Sequence, residues 1–302
     1  MQNVEGKVAF ITGGNSGIGL GIAKAFVNAG MKTVITGIRQ DHTDEALSYF
    51  KQQGQEKSVH AIKLDVTDRE AFVRAADEAE RVFGKVHVLV NNAGMGLMGP
   101  ITQTKFNDWD WGIGVMLTGV ANGITIFLPR ILRHGEGGQI VNTSSMGGAL
   151  PLPNGAIYCT MKAAIIGMAE SLRGELAADN IGVTAFCPGP VTSNIRETGR
   201  IRPEKFKQDS GLLEMEKELE QRNDSPNWMS LEECGERVLR GIRNNDLYIF
   251  THREFKEGVA ERMQAMVDAF PDEPINHTRA DEIKFLTTNP IFKKAARAAG
   301  GK

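Results

Sequence analysis

The sequence predicts an α/β fold: one domain on a doubly wound parallel sheet, with a charged excursion late in the chain and a helical tail. Three observations carry that expectation. Apolar runs of strand type alternate with helical stretches along most of the chain, the pattern of a parallel sheet with crossover helices. The first run, Lys7-Val8-Ala9-Phe10-Ile11, feeds straight into a glycine-rich turn, Thr12-Gly13-Gly14-Asn15-Ser16-Gly17-Ile18-Gly19. A helical pattern follows at once, with Ile18, Ile22, Ala25, Phe26 and Ala29 at three- and four-residue spacing.

In chain order, strands are expected near 7–13, 32–37, 58–64, 86–91, 138–144, 181–187 and 246–251. Helices are expected near 18–29, 41–54, 68–83, 103–132, 155–179, 231–244 and 254–269. The second strand ends at Gly37 and the third at Asp65, with Asp68 opening the helix that follows. The fourth runs into Asn91-Asn92-Ala93-Gly94, the fifth reaches Ser145, and the sixth stops at Pro188-Gly189-Pro190. At 302 residues and 41% hydrophobic content, the chain suits one α/β domain with elaborations and a sizeable core. No internal repeat or low-complexity tract interrupts it.

The glycine-rich turn has the physics of dinucleotide binding. Gly13 permits the tight turn, Gly17 lets backbone approach a pyrophosphate, and Gly19 allows close helix–strand packing; the anion then sits at a helix N-terminus. Strand, turn and helix stand in the required context, which sets the stretch apart from an ordinary glycine-rich turn. A second constellation follows in Tyr158-Cys159-Thr160-Met161-Lys162, with Ser145 upstream. Four-residue spacing on a helix puts Tyr158 and Lys162 on one face. A nearby ammonium favours the phenolate, which makes Tyr158 a proton donor and acceptor for an alcohol/ketone pair. Alone, the pair reads more readily as a solvated lysine beside a half-buried tyrosine, and the amino-terminal turn decides against that.

Together, Thr12-Gly-x-x-x-Gly17-Ile-Gly19, Asn91-Asn92-Ala93-Gly94, Ser145, Tyr158-x-x-x-Lys162 and Pro188-Gly189 resemble the short-chain dehydrogenases/reductases in order and spacing, over residues 5 to about 195. The resemblance implies NAD(P)-dependent hydride transfer on a Rossmann-type domain, usually in a homodimer or homotetramer. It implies Ser145, Tyr158 and Lys162 as the catalytic residues, with Ser145 holding the substrate oxygen. It implies a cofactor cradle of Gly13, Asn15, Ser16, Gly17, Ile18 and Gly19, with Asp65 and Val66 at the adenine. Asn92, Ala93 and Gly94 would line the adenosine ribose, and Asn91 would tie neighbouring strand ends. Lys162 would also reach the nicotinamide ribose. Pro188, Gly189 and Val191 would flank the nicotinamide, with a hydroxyl from Thr192 or Ser193 nearby. One position departs from the pattern, because Met116 stands where the family carries an asparagine that helps hold a water on the lysine's proton path. The expectation is a working enzyme with a modified relay, the alternative a catalytically weak dinucleotide-binding protein.

Within the family, Ile38-Arg39-Gln40-Asp41-His42, Ser193 to Gly199, Asn227-Trp228-Met229 and Leu247 to His252 resemble the bacterial Cα-dehydrogenases of lignin β-aryl-ether breakdown. That resemblance implies a benzylic secondary alcohol and its aryl ketone, and Trp228 and Met229 suit a bulky aromatic substrate. Gly37 replaces the acid that an NAD-type second strand would end on, and Arg39 is placed to meet a 2′-phosphate. The expectation is a modest preference for NADP, of about ten- to a hundred-fold from one charge-assisted contact, with NAD still usable.

Net charge −2 and pI ≈ 6.3 argue against nucleic acid or anionic membrane as partners. Cys159, Cys187 and Cys234 are odd in number, widely spaced and without metal-ligand pattern, so they read as buried filler and no metal is expected. An early first strand and the lack of an apolar run of membrane-spanning length suggest a cytoplasmic protein. Between Arg196 and Asp224, fifteen of 29 residues are charged. This stretch, within a substrate loop at about 190–230, is expected to turn a charged face outward and Leu212, Leu213 and Met215 inward. Residues 1–252 would form the NAD(P)-binding domain and 253–302 a helical extension patterned by Phe255, Val259, Met263, Met266, Val267 and Phe270, suited to packing on a neighbouring subunit.

Overall fold

Strand β1 (Val8–Ile11) is buried at every residue, as a central parallel strand with both faces covered must be. In the computed structural model, which describes residues 1–287 and 289–292, six further strands join it. They are β2 (Lys32–Gly37), β3 (Val59–Lys63), β4 (Val88–Asn91), β5 (Gly138–Thr143), β6 (Ile181–Cys187) and β7 (Tyr248–Phe250). All pair in parallel in the order β3-β2-β1-β4-β5-β6-β7. The order reverses direction between β1 and β4, where an open α/β sheet presents a crevice at its carboxyl end.

Side chains alternate between two cores. Phe10, Leu89, Ile140 and Val183 face one core, with Phe72, Phe127 and Ile165 from the helices. Ile11, Val90, Val141 and Phe186 face the other, with Ile22, Phe26, Phe50 and Val238. The helices run α1 (Gly17–Asn28), α2 (Gln40–Gln52), α3 (Arg69–Phe83), α4 (Phe106–Ile113) and α5 (Gly119–His134). Short α6 (Met146–Ala149) precedes the long α7 (Ala156–Glu175), and α8 (Thr198–Ile201) and α9 (Leu213–Glu220) lie in the excursion after β6. Then come α10 (Leu231–Asn244), α11 (Lys256–Asp268), α12 (His277–Glu282) and α13 (Lys284–Thr287).

Two expectations need correction here. The helix from Phe106 to His134 is continuous through a π turn at Gly114–Thr118, 29 residues in all, and by length and composition apolar enough to cross a bilayer. Its apolar side, Val120, Ile124, Phe127 and Ile131, is buried in the sheet core, so here it serves as a core helix. In the excursion, Leu212 is buried and Met215 packs against the same cluster as expected, but Leu213 is only half-buried, and the buried residue of α9 is the charged Glu216. In the tail, Phe255 and Val259 pack against the core, whereas Val267 and Phe270 are 60% and 77% exposed. The last part of the expected extension, residues 293–302, lies outside the described residues.

Candidate active site

A cleft opens at the carboxyl ends of the strands, and the glycine-rich turn forms its floor. Gly13 has φ +62°, open to glycine at little cost. A side chain at Gly19 would place Cβ 2.1 Å from the Gly13 carbonyl oxygen, so this close approach admits only glycine. Helix α1 starts with no acid in its first turn, and the Ser16 hydroxyl makes no capping bond. Its N-terminus therefore keeps its positive end for an anion. Thr12 ties the ends of β1 and β4 together, its hydroxyl accepting from the Asn92 and Ala93 N–H groups at 2.9 and 3.0 Å. Asn92 Nδ2 donates back to the Thr12 carbonyl at 3.0 Å, and Asn91 Nδ2 donates to Asn142 Oδ1 at 2.9 Å, joining β4 to β5.

Most of the expected cradle faces the cleft. Gly13, Asn15, Ser16, Gly17 and Ile18 line it from the first turn, and Gly37 and Arg39 from the end of β2. Asp65, Val66, Asn92, Ala93 and Gly94 line it further along, and Tyr158, Lys162, Pro188 and Ser193 close the far end. Asp65 accepts from Thr67, while Asp68 caps α3 through the Ala71 N–H. Gly19, Ser145, Gly189 and Val191 do not line the cleft. The Gly189 N–H is bound to Thr251 Oγ1. Val191 pairs with Met229 through bonds made by Pro190 and Thr192 rather than by itself. Of the two candidate hydroxyl residues, Ser193 faces the cleft.

Ser145, Tyr158 and Lys162 are brought together, with an electrostatic balance the sequence did not predict. Tyr158 is buried, and burial pushes its phenol above the ordinary value while the contact with Ser145 pulls the other way. The Ser145 hydroxyl also accepts the Gly147 N–H at 3.0 Å, so it is anchored between the start of α6 and the phenol. Lys162 stands one helical turn from the phenol on α7. Its ammonium lies 5.6 Å from the Tyr158 ring centroid and donates to the Thr143 carbonyl at 2.9 Å. Burial pushes the ammonium itself down to about 8. A phenol held above its ordinary value beside such an ammonium keeps both protons at neutral pH, and the pair gives up the first of them as pH rises through about 8.

The apolar wall was not legible in the sequence. Trp111, Met95, Val115 and Ile201 form it, and no local pattern marks them. Trp228 and Met229, expected at the substrate, are elsewhere: Trp228 stacks under Arg196 with 4.6 Å to the ring centroid, and Met229 is core. Met116 is likewise core, 1% exposed among Trp111, Ile157 and Met161. It lies in the π turn Gly114–Thr118, closed by the Gly119 N–H on the Gly114 carbonyl.

Comparison with known proteins agrees with this geometry. The family profile described as short chain dehydrogenase matches residues 7–203. A C alpha-dehydrogenase of Sphingobium sp. (strain SYK-6) is 39% identical over 89% of this chain and 88% of its own. The apo structure of LigO from Sphingobium sp. strain SYK-6 is 41% identical, covering 95% of this chain and 97% of that one at TM-score 0.75. A short chain dehydrogenase/reductase of Burkholderia phymatum, solved in complex with NAD, is 30% identical and covers 91% of this chain and 100% of that one at TM-score 0.82.

Proposed function

The chain belongs to the short chain dehydrogenases, oxidoreductases that act on CH–OH groups, and on that premise we propose that it interconverts a secondary alcohol and an aryl ketone, with Tyr158 as general acid/base. The observation that carries this reading is the placement of Tyr158 and Lys162 in one cleft with the uncapped N-terminus of α1 and an apolar wall around Trp111. The bound nicotinamide supplies the hydride acceptor or donor. The chain's own work is to hold the pyrophosphate at Ser16 to Ile18, to seat the adenosine against Asp65, Val66 and Ala93, and to place a ketone oxygen at the phenol. In the reductive direction Tyr158 gives its proton to that oxygen, and Lys162 stabilises the phenolate left behind. Ser145 orients the phenol through its anchored hydroxyl. Gly189, Val191 and Ser193 support the nicotinamide end, with Val191's N–H left unused by its pairing to Met229.

The aromatic preference rests on the Trp111, Met95 and Ile201 wall and on the similarity to a protein named C alpha-dehydrogenase. On cofactor, Gly37 lacks the acid that would repel a 2′-phosphate, yet Arg39 is not free: it is paired with Asp41 and Glu197. A phosphate must compete for it, so the expected preference for NADP(H) shrinks to within about tenfold of NAD(H). Three buried, unpaired thiols fit a reducing, cytoplasmic compartment. The exposed apolar face of α11 fits a homodimer or homotetramer. Residues 1–252 form the cofactor domain in this reading, and the tail after them serves assembly.

A panel of aryl ketones assayed with NADH and NADPH tests the proposal. Reduction of aryl ketones ahead of aliphatic ones, with kcat/KM for the two cofactors within about tenfold, is expected. Tight cofactor binding with no turnover on any ketone would favour the alternative, a dinucleotide-binding protein of regulatory role.

A further inference from the structure

The guanidinium of Arg39 is held by acids from two sides. Its Nε donates to Asp41 Oδ1 at 3.1 Å and its Nη2 to Asp41 Oδ2, so one edge is taken by the first-turn acid of α2. Its Nη1 donates to Glu197 Oε2 at 2.6 Å. Asp41 is local, but Glu197 comes from across the cleft, on the short helical turn Asn194–Glu197 after β6. Arg39, Glu197 and Gly37 all line the same cleft. Arg200 lies 3.7 Å from the other Glu197 oxygen and pairs in turn with Glu220. Two guanidiniums therefore face three carboxylates at this mouth, an unfavourable field for a further anion.

The end of β2 has no room for an acid of its own. A Cβ at Gly37 would sit 2.1 Å from Asn15 Oδ1. Asn15 is itself buried and held by bonds from Nδ2 to the Arg39 carbonyl at 3.1 Å and to Thr43 Oγ1 at 3.0 Å. The carboxylate facing Arg39 from across the cleft is that of Glu197.

We propose that Glu197 is the cofactor-specificity residue of this enzyme: from the substrate loop it occupies the site on Arg39 that a 2′-phosphate would take, doing from the opposite wall what an acid at the end of β2 would do. This deepens the cofactor reading above and rests on the cleft being a nicotinamide dinucleotide site. It also couples two events. A 2′-phosphate that displaces Glu197 releases one fastening of the substrate loop, whereas a 2′-hydroxyl leaves the bridge in place.

Binding of two adenosine fragments separates this proposal from the proposed reaction, because no turnover is involved. Titration calorimetry would compare adenosine 2′,5′-bisphosphate with adenosine 5′-monophosphate on the wild type, Glu197→Gln, and Glu197→Gln combined with Arg39→Ala. Removing the competing carboxylate should tighten the bisphosphate about ten- to thirty-fold and change the monophosphate less than about twofold. Adding Arg39→Ala should abolish the gain. An unchanged bisphosphate affinity, or an equal change for both fragments, would overturn the role of Glu197. Failure of both fragments to bind the wild type would sink the reading of the cleft together with it.

Discussion

Lys162 and Tyr158 carry opposite charges only at a cost, because both are buried. The folded chain lowers the lysine to about 8, below its ordinary value, so the sign of its effect is fixed. Below about 8 the folded protein holds a buried ammonium and the penalty is present in full. As pH rises through that value the folded state gives up the proton before the unfolded state does, and stability increases over the window. In the proposed reaction the same proton governs direction. Ketone reduction needs the phenol proton and the ammonium, so its rate should fall as pH passes about 8, while alcohol oxidation should rise. Rate profiles in both directions across that pH check this, and flat profiles would contradict it. At this scale the glycine-rich turn and the Tyr158/Lys162 pair were legible because their chemistry is local in sequence. The tuning was not, since burial and the Thr143 carbonyl belong to the tertiary structure. Glu197 was hidden for another reason: in a stretch this rich in charge, nothing local marks the one acid that reaches Arg39.

The excursion after β6 is held by a device that composition could not reveal. Arg202, Asp108 and Glu216 have no side-chain exposure at all. Arg202 is ion-paired with Asp108 at 2.9 Å and donates to both Glu216 oxygens, and its guanidinium lies 4.4 Å from the centroid of the Trp111 ring. The surplus negative charge is met by the Ser210 hydroxyl and the N–H groups of Lys105 and Gly211, all on Asp108, while burial pushes Glu216 up. The network thus fastens α8 and α9 to α4 and sets Trp111, Ile201 and Pro203 in the cleft wall. Removing the cation strands two buried carboxylates, which costs about 3–5 kcal/mol. Arg202→Met should therefore lower the melting temperature by several degrees and raise KM for an aryl ketone more than it lowers kcat. Unchanged melting and KM would show that the network does not position the wall. A charged run reads the same whether it is solvated or buried, and only the partner on α4 decides. Helix and strand positions were far easier, and α10 lies where its apolar spacing put it.

On the scale of the whole molecule, the alternation of strands and helices determined the sheet, because right-handed crossovers leave few other arrangements. Side chains of period two then built one core on each face of that sheet. Far less legible was the use of the long helix from Phe106 to His134, whose apolar composition alone does not distinguish a core from a bilayer. Its burial against Phe10 and Phe72 settles the matter. Beyond the sheet, α11 turns Met263, Met266 and Val267 to solvent, with Phe270 exposed just past its end, the surface left for assembly in the proposed oligomer. The proposed reaction turns on one phenol. Its most direct test is single-turnover ketone reduction by Tyr158→Phe beside a cofactor titration of the same variant. The account predicts that hydride transfer is lost, by about a hundredfold or more, while cofactor affinity stays within about threefold of wild type, because the ring still packs and only the proton is gone. Appreciable turnover by Tyr158→Phe, with cofactor bound, would contradict it.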